Sequence, residues 1–469
     1  MAKGTIKSHI FNYIVLTVGL TVLGYLLLAA VYALPVRRMR LGAANSIHIF
    51  QTEDLAKTEG GEILESLDYY NTALDHYMDG EAINMAICDD GTSPFLQAVT
   101  VNKYLYDDMN PKDSLIHYIW EEDGYYIESY ARFWHGYLIV IKPLLLFFSL
   151  ADIRMINMFV QVCLMFALVW LMTKKKLGCL IPALAISYFY LTPSVLYKSI
   201  QYSTVFYVAI LSALVLLAVY DRLKKKGLLG EFFFALGIIT NYIILLTFPL
   251  LSLGIPLGLI ICLMVREAPT PEPLTVCGKT IGYSAAWGAG YGLMWGIKWI
   301  ISFLVMGPSA FEAVVDTFKI RAIGGEGADS YTIPSMILGN MGRFERPIYK
   351  IILIAGTLIY LIAYVIIKNR KQKTSGDISD ISYQIPFLSV LIPYLLLMLY
   401  PFAWYIVTAS HSYVHAFFTH RSLCVTIFAY FCMLGTFYEL QQFKLSLSGK
   451  TKAAEICKDP EIQDGGEVI

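Results

Sequence analysis

The order of apolar and polar stretches constrains this chain most. A greasy segment near 11–33 is followed by about a hundred polar, acid-rich residues, and from there to about 440 the chain is almost continuously apolar. A helix that crosses a bilayer needs about 20 predominantly apolar residues. Stretches of that length lie near 11–33, 155–172, 178–195, 203–220, 228–247, 250–265, 281–305, 348–367, 384–407 and 422–440. The pattern predicts an all-α integral membrane protein of about ten transmembrane helices with a large extracytoplasmic first loop. The 57% hydrophobic and 15% charged residues agree, since soluble domains sit near 45–50% and about 25%.

Four regions follow: an N-terminal transmembrane helix at 1–34, an acidic extracytoplasmic loop at 35–135, a multi-helix membrane body at 136–440, and a cytoplasmic tail at 441–469. The tail is polar, lacks aromatic residues near its end and is expected to be disordered. The first apolar run is longer than a signal-peptide core of about 7–15 residues, so it reads as a retained anchor despite the cleavage-like Val31-Tyr32-Ala33. Only Cys88 of the eight cysteines falls in the loop, so the loop has no internal disulfide.

Short-loop lysines and arginines set orientation. Lys174–Lys176, Arg222 with Lys224–Lys226, Lys368 to Lys373, and the tail lysines follow four of the apolar stretches. Read as cytoplasmic, they leave the 35–133 segment outside, where 18 of the 36 acidic side chains and 7 of the 36 basic ones lie. The alternation requires that Tyr137–Leu150, with its Lys142-Pro143, be re-entrant or lie on the surface. Zero net charge gives no field that would gather nucleic acid, so the expected partners are membrane lipid and lipid-linked molecules, with the bacterial plasma membrane as location.

Candidate chemistry lies on the predicted outer side. In Leu74–Ala82 a helix would set Asp68, Asp75 and Asp79 on one face, the last two one turn apart with Cβ atoms roughly 5–6 Å from each other. Carboxylates so close repel, so one is paired, metal-bound or protonated, and each outcome suits a catalytic base. The alternative is a solvated helix face ending at Gly80. His76 stands beside them. Where the loop returns to lipid, Arg132 and His135 fall at the level of a lipid phosphate, within an interfacial aromatic run. Lys142 and Lys298 lie in apolar surroundings, where an ammonium needs a cavity or a partner. His411 and His415 share a helix face beside Arg421. That set suits phosphate contact or zinc, although no glutamate stands at the zincin position.

Asp75-His76-Tyr77-Met78-Asp79, Arg132-Phe133-Trp134-His135-Gly136 and His411–His415 through Arg421, with the layout around them, resemble the GT-C superfamily of polytopic membrane glycosyltransferases, in a bacterial branch. The resemblance covers most of 1–440 and is carried by topology more than by any single motif. It implies inverting transfer of a sugar from a polyprenyl-phosphate donor to a cell-envelope glycan or lipid-linked acceptor. Asp75 or Asp79 would be the catalytic base. His76, Arg132, His135, Lys142, Lys298, His411, His415 and Arg421 would be the phosphate and substrate contacts. No cofactor is expected, though a divalent cation is compatible. One departure is plain: GT-C acids often follow the first span closely as an adjacent or alternating pair, whereas these come later and are four apart. The rival readings are a flippase or exporter of lipid-linked oligosaccharide, which would leave the loop without a role, and a polysaccharide polymerase, whose main outer loop commonly comes later.

Overall fold

A computed structural model describes residues 3–59, 74, 76–121, 123–268, 271–308, 312, 332–342, 347–374 and 387–438. Asp68 and Asp75 lie outside the described residues. Among those described, eight helices are long and apolar enough to cross a membrane: Ser8–Tyr32, Leu150–Lys174, Ile200–Lys226, Leu250–Glu267, Pro273–Met306, Pro347–Ile366, Phe387–Val407 and Ala416–Tyr438. The other two expected spans form the shorter apolar helices Gly178–Tyr190 and Leu229–Ile243. The molecule is thus a nearly all-α protein suited to lipid.

Helix Leu229–Ile243 stops early for a local reason. Ile244 adopts extended backbone, and Pro249 disfavours helix at the residue before it, so 244–249 runs as irregular chain into helix Leu250–Glu267. Irregular backbone among membrane helices is tolerated where protein satisfies it. Here the Tyr242 carbonyl accepts from the Gly136 amide at 2.9 Å, and the Leu246 carbonyl pairs with His411 Nε2 at 3.0 Å. The same short helix lies very close to Pro273–Met306. A Cβ on Gly237 would collide with the Trp287 carbonyl oxygen, and one on Gly290 would collide with that of Phe234. Glycine at both positions lets the two backbones touch.

The polar segment after the first span folds onto one end of the bundle. It holds helices Val36–Ala44, Ile47–Glu59, His76–Ile87, Pro94–Thr100 and Pro111–Trp120, and a small hairpin. Strands β1 (Asn102–Leu105) and β2 (Tyr126–Ser129) pair antiparallel, with Lys103 opposite Glu128. Two helix starts are written plainly in sequence. Ser93 before Pro94 accepts from the Leu96 amide, and Asn110 before Pro111 accepts from the Lys112 and Asp113 amides, the N-cap and first-position proline preferences. Ile83, Ile87, Tyr104 and Leu115 of this region share one core with Leu28, Leu138, Phe234 and Ile238 of the membrane body. The polar region is therefore packed on the helices rather than tethered to them.

Leu138–Leu145 has only 8 residues, too few to cross a bilayer at about 1.5 Å per residue. At the far end of the bundle the basic turns cluster. Lys175 pairs with Asp221 at 2.6 Å and Lys224 with Glu267 at 2.5 Å, and Arg266 donates to the Lys175 and Lys176 carbonyls.

Candidate functional site

A cavity of about 550 Å³ lies where helix His76–Ile87, the hairpin, the 244–249 break and the 409–419 turn meet. Glu81, Lys103, Glu128, Arg132, His411 and His415 line it, with Tyr77, Met78, Tyr130, Phe133, Gln201, Leu245, Leu246, Thr247, Phe417 and Phe418. The volume is that of a small-molecule site, about 300–1,000 Å³.

Helical geometry selects Glu81. Tyr77, Met78 and Glu81 line the cavity, an i, i+1, i+4 set that shares one face. Gly80 lies against Lys112 instead, and a Cβ there would come within 2.7 Å of it. Glu81 is 2% exposed. Its Oε1 accepts from Lys103 Nζ at 2.7 Å, while its buried Oε2 has no hydrogen-bond partner among the described residues. Burial pushes the Glu81 carboxyl above the ordinary glutamate range, and the Lys103 ammonium, pulling the other way, does not cancel it. Lys103 also stands 3.6 Å from Glu128 across the strand pair.

Arg132 is the complementary group. Its guanidinium lies 4.2 Å from the centroid of the Tyr130 ring and 6.0 Å from that of Phe133. Its Nε is buried without a hydrogen-bond partner among the described residues. Its main-chain carbonyl is held by the Trp295 and Trp299 indoles at 3.3 and 3.2 Å. The backbone is fixed while the charged fork packs on aromatic rings, acts through its charge on the Glu81 carboxyl and lines the cavity, where a fixed guanidinium suits an incoming anion. His411 and His415 face each other with ring centroids 4.7 Å apart, and His415 stacks on Phe418.

The expected site residues therefore divide. Arg132, His411 and His415 come together in the cavity. Asp79 does not line it; fully buried, it accepts from the Ile200 amide at 2.9 Å and the Ser199 hydroxyl at 3.3 Å, capping helix Ile200–Lys226. His76 bonds Glu53 at 2.8 Å on the same side. His135, at φ 54°, is buried between the Tyr137 hydroxyl and the Tyr130 carbonyl. Burial, reinforced by Lys298, holds its imidazole well below the ordinary histidine range, and it does not line the cavity. Lys142 donates to the Ala86 carbonyl at 2.6 Å beneath the Tyr32 ring. Lys298 donates to the Val99 carbonyl at 2.7 Å beside Trp134. Arg421 is buried under the Tyr202 ring and donates to the Phe417 carbonyl; it does not line the cavity.

Sequence reasoning passed over Glu81, Lys103 and Glu128. A signal for Glu81 existed: it heads the run Ala82–Cys88, which has Asn84 as its one polar residue, so a helix that buries the run buries the acid. Lys103 and Glu128 become neighbours only through the hairpin register, which no local pattern announced.

Among the described residues, no group of three or more His, Cys, Asp or Glu side chains is placed to hold a metal ion. The arrangement offers a buried carboxylate with a free oxygen, an aromatic-backed guanidinium and two imidazoles around one space. Comparison with protein-family models, curated proteins and solved structures finds no match.

Proposed function

We propose that this chain is an integral membrane glycosyltransferase of the GT-C kind. It would move a sugar from a polyprenyl-phosphate donor to a cell-envelope glycan or lipid-linked acceptor on the outer face of a bacterial plasma membrane. The observation that carries the proposal is the pairing, in one cavity, of Glu81 with Arg132, His411 and His415. The acceptor hydroxyl oxygen attacks the anomeric carbon from the face opposite the phosphate. Its proton passes to Glu81 Oε2. The bond from anomeric carbon to phosphate oxygen breaks, and the electron pair leaves on the polyprenyl phosphate. A carboxyl raised by burial is a better base near neutral pH than an ordinary glutamate. Arg132 supplies a fixed cation for the charge that develops on the departing phosphate, with the two imidazoles as further donors. The basic turns at the far end of the bundle favour an outward-facing cavity.

The test is transfer of labelled sugar from a panel of polyprenyl-phosphate donors by the full-length protein in lipid nanodiscs. Arg132→Ala and His415→Ala should each cost on the order of 10²–10³ in transfer rate, as loss of one oxyanion donor does. Wild-type protein that transfers from none of the donors, or an Arg132→Ala variant at full rate, would overturn the proposal.

A further inference from the structure

A second cavity, of about 630 Å³, presents a mostly apolar surface from helices Leu138–Leu145, Leu150–Lys174, Ile200–Lys226 and Leu229–Ile243, with Asn157, Ser203, Thr204, Tyr207 and Ser212 also in its lining. Its rim includes Val140, Leu211, Val215 and Ile239, all exposed on the bundle's outer surface. In a membrane that surface meets lipid tails, so the groove is open to the bilayer. Between the walls of the groove and those of the charged cavity lies a small space of only about 10 Å³, lined by Met78, Ala82, Tyr137, Ile200, Gln201, Thr204 and Leu245. Tyr137, Ile200 and Thr204 also line the groove. Met78, Gln201 and Leu245 also line the charged cavity. The small space thus shares walls with both larger ones, one apolar and one charged.

We propose that Met78, Gln201 and Leu245 form a gate through which the hydrocarbon chain of a lipid phosphate leads from the groove to its head in the charged cavity, and that this gate selects for the chain. The inference rests on the phosphate-binding reading of Arg132 and deepens it by naming the tail route. The occupant follows from chemistry. A wholly apolar ligand makes no use of the Arg132, His411 and His415 wall, and a wholly polar one has no use for a lipid-open groove. A chain ending in a phosphate satisfies both spaces, and the gate is where chain becomes head. Helix His76–Ile87 carries both Met78 and Glu81. The gate and the candidate base therefore move together, and a seated chain at Met78 fixes where Glu81 stands.

Binding to full-length protein in nanodiscs decides the matter, with two probes, a long-chain polyprenyl phosphate and inorganic phosphate. Met78→Trp and Leu245→Trp fill the gate. They should weaken polyprenyl phosphate at least about tenfold, the loss expected when two methylenes lose their burial, and leave inorganic phosphate within about twofold of wild type, below what one lost methylene would cost. Leu211→Trp, further down the groove, should give the same split. Met78→Ala and Leu245→Ala widen the gate and should bind the long-chain probe at least as well as wild type, which keeps the test open if a tryptophan variant fails to fold. Equal weakening of both probes by the tryptophan variants, unchanged polyprenyl binding, or loss of polyprenyl binding in the alanine variants would overturn the gate. Arg132→Ala separates the two readings: if it leaves both probes unchanged while Met78→Trp still blocks the chain, the phosphate site is wrong and the gate stands.

Discussion

Asp79 and Glu81 stand two positions apart on one helix, and a rotation of about 100° per residue sends them to different faces. Asp79 turns toward the membrane helices and caps one of them. Glu81 turns toward the cavity. A second acid beside Asp79 shares one of its partners, since Glu53 lies 2.9 Å from Arg154 and 2.8 Å from His76, and the same Arg154 stands 3.9 Å from Asp79. Burial opposes ionisation of Glu53, but the His76 hydrogen bond and the Arg154 charge outweigh it and bring the carboxyl down to about 2. A carboxyl depressed in the folded state contributes stability above its unfolded value, near 4.3, and loses it as pH falls toward the folded one. Glu53→Gln should therefore unfold at lower temperature than wild type at pH 7, with the gap closing between about pH 4 and pH 2. Melting curves across that range check it; a gap independent of pH would contradict the assigned pair.

At the scale of elements, two lysines buried among apolar helices do structural work. A helix leaves its last carbonyls without intrahelical partners and carries partial negative charge there. Lys142 reaches the end of His76–Ile87 through the Ala86 carbonyl, and Lys298 reaches the end of Pro94–Thr100 through the Val99 carbonyl. Each ammonium pins a helix of the polar region to the membrane body. Lys142→Met and Lys298→Met should each expose the helix they cap to faster amide hydrogen exchange, by about 1–3 kcal/mol of local protection, the cost of a buried carbonyl left unpaired. Unchanged exchange in both helices would remove the lysines from that role. The apolar spans were legible because length and hydropathy are local properties, and so were the proline-led helix starts at 94 and 111. The roles of these lysines were not, because a buried ammonium announces that it has a partner without saying which carbonyl, tens of residues away, it meets.

Across the whole molecule, the polar region, the 244–249 break and the turn after Phe387–Val407 meet at one end of the bundle, and the charged cavity is the space they leave. Arg132, His411 and His415 were marked from sequence because they sit where chain leaves apolar surroundings, and position along the chain is readable there. Glu81 was not, because facing depends on how its helix rotates against the body, and the neighbouring aspartates drew attention to the opposite face. If Glu81 is the base and Asp79 a cap, sugar transfer separates them. The decisive measurement is transfer from a polyprenyl-phosphate donor by folded Glu81→Gln and Asp79→Asn proteins in nanodiscs, with donor binding followed in parallel. Glu81→Gln should lose about 10²–10⁴-fold in rate, the worth of a general base, while still binding donor. Asp79→Asn keeps an oxygen that can accept from the Ile200 amide but loses the charge that stands 3.9 Å from Arg154, so it should melt earlier than wild type at pH 7, with its folded fraction transferring at the wild-type rate. Full transfer by Glu81→Gln beside an inactive, folded Asp79→Asn protein would contradict the assignment of the site.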